Sequence, residues 1–175
     1  MASSFPFPTP KFIEGGCLCG ALRYRVDFPE GHDFSTASGT CQCTQCRKQT
    51  SSLFLITHTV RPASTAFRFT SLSTSTLKHY SPTARAERGF CSDCGSLLYW
   101  RPTEGSHICV TVGTIDPLYL FGQGADGKEI PQGGFGMALT SGGGHHLFCS
   151  NEIPGVTDRF PFLGRERGTR FPEDD

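Results

Sequence analysis

The sequence has no excess of charge of either sign: 16 Lys and Arg are matched by 16 Asp and Glu, and the formal net charge is zero. Proteins that neutralise nucleic-acid phosphates or lie on anionic lipid carry a basic surplus, so neither partner is expected. No run approaches the 18 or more apolar residues that a membrane helix needs. The opening Met1-Ala-Ser-Ser-Phe-Pro-Phe-Pro-Thr-Pro10 lacks the basic segment and apolar stretch of a secretory signal. A cytoplasmic location is the expectation, and in a reducing setting clustered cysteines hold metal more often than they form disulfides. Also missing are a nucleophile elbow, a dinucleotide fingerprint and a phosphate-cradling glycine loop ahead of a helix.

What is present is cysteine, nine in 175 residues, an odd number that cannot pair completely within one molecule. At this length one domain can bury roughly 70% of its extended-chain surface. Fifteen Phe, with 21 Gly and 12 Pro, favour short strands joined by turns over long helices. From Ala21 the chain alternates, with Leu22, Tyr24, Val26 and Phe28 on one side and Arg23, Arg25 and Asp27 on the other. Period two is the mark of a half-buried strand. Strands are also expected over Leu53–Val60, Phe67–Thr70, Leu97–Trp100 and His107–Val112, the last with Ile108, Val110 and Val112 on one face. One short helix is expected, around Thr44 to Ser52. Residues 121–144 hold nine glycines in 24 positions and no sustained period, so they read as a glycine-rich insertion on the surface. Residues 1–11 read as an extended lead-in and 164–175 as a polar, solvated tail.

Seven cysteines fall in three tight groups: Cys17-Leu-Cys19-Gly20, Cys41-Gln-Cys43-Thr-Gln-Cys46 and Cys91-Ser-Asp-Cys94-Gly95. Pairs one or two residues apart can turn both thiolates toward one zinc ion, and they are poorly spaced to bridge each other. A glycine just after the pair supplies the dihedrals of such a knuckle. Cys109 and Cys149 stand alone in apolar surroundings and read as packed thiols. Seven ligands divide most simply as four plus three, although spacing alone leaves the division open. The pairs 17/19 and 91/94, about 70 residues apart, would make a closed staple. The group 41/43/46 would leave one coordination position free for water or substrate.

These residues resemble the glutathione-dependent formaldehyde-activating enzyme family, which includes the centromere protein V-like proteins. The resemblance rests on Gly16-Cys17-x-Cys19-Gly20, Cys41-x-Cys43-x-x-Cys46-Arg47, and Tyr80-Ser81 leading into Arg88-x-Phe90-Cys91-x-x-Cys94-Gly95-Ser96. It continues through Val112-Gly-Thr-Ile-Asp116 and His146-Leu-Phe148, so the domain is expected over residues 12–163. The resemblance implies a mainly β, Mss4-like antiparallel sandwich or tent stapled by zinc. It implies two zinc ions per chain, one structural on Cys17, Cys19, Cys91 and Cys94, the second on Cys41, Cys43 and Cys46. The activity implied is that of a carbon–sulfur lyase joining glutathione to formaldehyde to give S-hydroxymethylglutathione. Three features depart from the family pattern: Gln42 where histidine is frequent, Ser51 where glycine is usual, and Cys149-Ser-Asn-Glu-Ile-Pro154 without the usual lysine and tryptophan.

A zinc with three thiolates is a weak Lewis acid, better suited to holding a fourth thiolate than to making hydroxide. A small thiol such as glutathione is therefore the expected co-substrate, with an aldehyde as its electrophile. Arg47 and Lys48 are candidates to meet a carboxylate of that thiol, or else are ordinary solvated charges. Among the histidines, His58, His79, His145 and His146 are candidates for a fourth ligand or an acid–base group, and only His146 lies in a family-like segment. Two further readings stand beside the lyase: a zinc enzyme of this fold acting on another small metabolite, and a non-catalytic zinc-stabilised module that binds a protein.

Overall fold

The protein is described here by a computed structural model covering residues 7–125, 132–158 and 169–172. It is mainly β. The first sheet joins β1 (Phe12–Gly16), β2 (Arg23–Asp27) and, later in the chain, β5 (Phe67–Phe69), all antiparallel. Between β2 and β5 lie β3 (Ser38–Cys41), helix α1 (Thr44–Thr50), β4 (Leu55–Val60) and the single turn α2 (Ala63–Ala66). Then follow β6 (Leu77–Thr83), β7 (Ala86–Cys91), β8 (Leu97–Pro102) and β9 (Ile108–Thr111). Helix α3 (Pro117–Phe121), the short pair β10 (Gly122–Gln123) and β11 (Gln132–Gly133), and α4 (Gly136–Thr140) come next. Last are β12 (His145–Leu147) and β13 (Thr169–Arg170). The large sheet runs in the order β13-β12-β3-β4-β9-β8-β7-β6, antiparallel except that β12 lies parallel to both β3 and β13.

The alternation seen in the sequence determines which face is buried. Leu22, Tyr24 and Val26 are fully buried with Ile13, against Val60, Leu98, Ile108 and Val110 of the large sheet. Full burial of each such side chain contributes roughly 1.5–3 kcal/mol. On β4 the same alternation sends His58 and Val60 to the core and leaves Leu55, Thr57 and Thr59 on the opposite face. That second face forms the floor of a cavity. Gly39 allows β12 to approach β3 there, since a Cβ on it would lie 2.2 Å from the His145 carbonyl oxygen.

Two expectations are corrected. Residues 121–144 are not a structureless surface insertion: they carry β10, β11 and α4, and Ala138 and Leu139 of α4 are fully buried in the main core. A five-residue helix among glycines is too short to show a period, and tertiary packing holds it in place. Residues 126–131 lie outside the described residues. Within the segment expected as a solvated tail, Thr169 and Arg170 add an edge strand beside β12, and Arg170 pairs with Glu152. Of the lead-in, residues 7–11 are described; Pro10 is buried and the Lys11 carbonyl accepts from the Phe28 N–H at 3.0 Å.

Candidate metal centres and cavity

The pairs 17/19 and 91/94 meet although far apart in sequence. Their four sulfurs lie within 4.8 Å of one another. Cys17 and Cys19 sulfurs are 3.5 Å apart, Cys19 and Cys91 sulfurs 3.8 Å. Four sulfurs at zinc–sulfur bond length on a tetrahedron stand roughly 3.8 Å apart, so the group fits one such ion. Each pair is a turn closed by its glycine: Gly20 N–H reaches the Cys17 carbonyl at 3.0 Å and Gly95 N–H the Cys91 carbonyl at 2.8 Å. Both glycines take a left-handed φ, 78° and 76°, which a side chain would strain. The Leu18 N–H donates to Ser96 Oγ at 3.0 Å, joining the two turns, and the Ser96 hydroxyl is the first of the groups that bring the Cys94 thiol down to about 6. Cys17 and Cys91 are buried in the main core, and none of the four lines the cavity.

The third group is built differently. Cys41 ends β3, Cys43 caps α1 by accepting the Cys46 N–H at 3.3 Å, and Cys46 lies one turn into the helix against Leu55 and Leu97. The three sulfurs also lie within 4.8 Å of one another, and among the described residues no fourth ligating side chain joins them. Negative charge settles on Cys43, whose thiol is drawn far down, first by Cys41, then by Cys46 and nearby backbone N–H groups, against the cost of burial. Cys41 is pushed up, mainly by its contact with Cys43. For Cys46, Cys41 acts downward, but Cys43 and burial prevail and carry it to about 11, with the Arg88 guanidinium pulling back. A preformed thiolate is a ready soft ligand.

Helix α1 ends on Ser51, held in a left-handed conformation at φ 53°. That is the position where the resembled family usually has glycine. The preference is physical, because a Cβ in this conformation costs about 1–2 kcal/mol.

Cys41, Cys43 and Cys46 line one end of a cavity of about 1120 Å³. Its floor is the outer face of β4, β9, β8 and β7, with Thr57, Thr59, Cys109, Trp100 and Arg88. Leu147, Phe148 and Asn151 of the late segment form a wall. Arg47 and Lys48 are not in this lining; of the arginines that are, Arg61 and Arg85 were not singled out in the sequence, and Arg88 figured there only in the motif that carries the family resemblance. Gln42 is 1% exposed and outside the lining, so this departure from the family pattern does not touch the cavity wall. Of the two solitary cysteines, Cys109 is half-buried on the floor beside Thr59, and Cys149 is half-buried with its thiol donating to the His146 carbonyl at 3.3 Å.

The histidines are otherwise engaged. His146 is fully buried between the Thr40 hydroxyl at 2.8 Å and the Gly142 carbonyl at 2.9 Å. His79 meets the Tyr99 hydroxyl at 2.7 Å, and the His145 ring packs on Phe171. His58 donates through Nδ1 to the Leu139 carbonyl of α4 at 3.2 Å, and its Nε2 accepts from His32 Nε2 at 2.9 Å. Burial, followed by the neighbouring His32, lowers His58 to about 3. The unfolded chain, with an ordinary histidine near 6.5, then binds the proton first. Stability supplied by neutral His58 is therefore complete above pH 6.5 and lost as pH falls toward 3, approaching about 1.4 kcal/mol per pH unit. Chemical denaturation between pH 6 and 4 should show a flatter decline for His58→Asn than for the native chain. Equal slopes would remove His58 from the account; metal release by acid affects both proteins alike.

The family model of the glutathione-dependent formaldehyde-activating enzyme matches residues 12–126. An uncharacterized lyase of Schizosaccharomyces pombe is 29% identical over 94 residues, a match spanning 54% of this chain and 61% of that protein. A crystal structure of a Rhodobacter sphaeroides protein aligns with a TM-score of 0.49 at 23% identity, over 68% of this chain and 98% of its own. Among the described residues no helix is long and apolar enough to cross a membrane.

Proposed function

The chain belongs to the glutathione-dependent formaldehyde-activating enzyme family, and from that premise we propose that it is a zinc-dependent carbon–sulfur lyase acting on the adduct of a small thiol and an aldehyde. The observation that carries this reading is an asymmetry. The four-cysteine group closes on itself away from the cavity, whereas the three-cysteine group opens into it. Cys17, Cys19, Cys91 and Cys94 would hold a structural zinc; Cys41, Cys43 and Cys46 would hold a second with one free position. Zinc bound there would keep an incoming thiol deprotonated beside an aldehyde.

The rest of the task falls to the chain. Leu55, Leu147 and Phe148 line the thiol end with apolar surface that limits water. In the forward direction the sulfur adds to the aldehyde carbon, and the carbonyl oxygen ends with the proton the thiol gave up. In reverse the carbon–sulfur bond breaks and the same proton returns. Glutathione and formaldehyde are the pair the family name supplies.

Exchange NMR with glutathione and formaldehyde checks the reading. The zinc-loaded protein should speed interconversion of the free and adduct forms above the spontaneous rate. No acceleration at any protein concentration would remove formaldehyde as the electrophile.

A further inference from the structure

Among the described residues most arginines are ion-paired: Arg23 with Asp116, Arg25 with Asp27 and Glu14, Arg68 with Asp27, Arg101 with Glu87 and Arg170 with Glu152. Arg61, Arg85 and Arg88 are in no ion pair and donate no side-chain hydrogen bond there, and all three line the cavity. Arg88 is the unusual one. It is 5% exposed, and its Nε–H is buried without an acceptor. A buried guanidinium with unfilled donors is costly, and the cost is recovered when an anion takes its fork.

The sheet register puts these groups on one face of the large sheet. Thr59 pairs with Cys109, Cys109 with Trp100, and Trp100 with Arg88, so one row crosses four strands of the floor. Arg85 directly precedes β7 and Arg61 directly follows β4, each beyond this row at the same end of the sheet. The His107 ring lies 5.9 Å from Trp100, and burial together with the charge of Arg61 keeps that imidazole below its ordinary range. Arg61 stands six residues along β4 from Leu55, which pairs with Cys41; at strand rise that is about 20 Å from the thiol end. Glu30 and Asp33 line the same cavity, and Asp33 accepts the Ser35 N–H and the Ser35 and Thr36 hydroxyls.

We infer that Arg88, Arg85 and Arg61 form a carboxylate-binding subsite in the cavity, with Arg61 and Arg85 at the end away from the cysteines and Arg88 between them and the Cys46 side. The carboxylate is that of the thiol's peptide or of an acid group on the electrophile. The subsite goes beyond the lyase reading and does not require it.

Saturation-transfer NMR on the zinc-loaded full chain tests it with four probes: succinate, S-methylglutathione, neutral succinamide and inorganic phosphate. S-methylglutathione has no free thiol to ligate a metal. At least one carboxylate probe should bind, more tightly than succinamide and phosphate. Arg61→Gln/Arg85→Gln, at two exposed positions, should weaken that probe by about tenfold or more, as lost charge-assisted bonds do. Arg88→Lys, which keeps the charge and loses the fork, should weaken it as well, with circular dichroism reporting whether this core variant folds. Binding of S-methylglutathione alone places the carboxylate on the thiol; binding of succinate places it on the electrophile. The subsite is overturned if neither carboxylate binds, if succinamide or phosphate binds as well, or if the double variant binds like the native chain. Glutathione–formaldehyde exchange on the same sample separates the two proposals: lost carboxylate preference with intact exchange removes the subsite alone. Intact carboxylate binding without exchange removes the lyase alone.

Discussion

Cys91→Ser is expected to leave the chain unfolded. Cys91 is fully buried at the end of β7, its sulfur 3.8 Å from that of Cys19, and it belongs to the main core as well as to the four-sulfur group. A structural zinc on such a group supplies about 10–16 kcal/mol of apparent binding free energy. Domains of this size are stable by only about 5–15 kcal/mol. Losing one of four ligands therefore removes an amount comparable with the whole stability, and the hydroxyl left behind is buried where a thiolate stood. A geometric cost is added to this: at the knuckles the two hairpins are also joined by the Leu18 N–H to Ser96 Oγ bond, whose position depends on the closed four-sulfur group. Far-UV circular dichroism and the near-UV signal of Trp100 should both lack a native spectrum. A cooperative unfolding transition close to that of the native chain would show that the four sulfurs contribute little to folding.

Cys43→Ala is expected to behave in the opposite way: a folded chain with one zinc in place of two and no catalysed exchange. The three-cysteine group packs with Leu55 and Leu97 in a small cluster separate from the main core. Cys43 does have a second role, capping α1 through the Cys46 N–H, so alanine should also cost about 1 kcal/mol of stability. Cys43→Ser separates the roles, because the hydroxyl can cap the helix and remains a poor partner for zinc. Both variants should bring glutathione–formaldehyde exchange down to the spontaneous rate, with only the alanine variant showing the stability loss. Exchange at the native rate in either would mean that the chemistry takes place elsewhere.

The two variants differ because of how the sequence distributes its cysteines, and much of this was legible from spacing. The knuckle glycines Gly20 and Gly95 were readable as left-handed positions, and the alternation of Leu22, Tyr24 and Val26 was readable as β2. Other strands gave no such signal. Strand β1 offers Ile13 and two glycines, and its packing depends on Gly15 lying against Tyr24. Strand β3 is Ser-Gly-Thr-Cys, a buried strand without an aliphatic side chain, recognisable only once β12 and β4 flank it. Strand β6 is an edge with Lys78, His79 and Tyr80 exposed, so burial leaves no period in it. Two of the cavity's arginines, Arg61 and Arg85, were missed for a related reason, and Arg88 stood out only as part of the family motif. Arg61, Arg85 and Arg88 are scattered along the chain and converge only through the register of four strands, whereas Arg47 and Lys48 drew notice because they adjoin a ligand in sequence. Proximity along a helix turned out to say little about which side chains share the cavity.

The central claim is that one cysteine group is a closed metal site and the other an open one that accepts a thiol. NMR of cadmium substituted for zinc reads this directly, because the resonance reports how many sulfurs surround the metal. Two signals are expected, one from a four-sulfur site and one from a three-sulfur site. Added glutathione should move only the second, toward the position of the first. A single signal, or two signals of which neither responds to the thiol, would contradict the account.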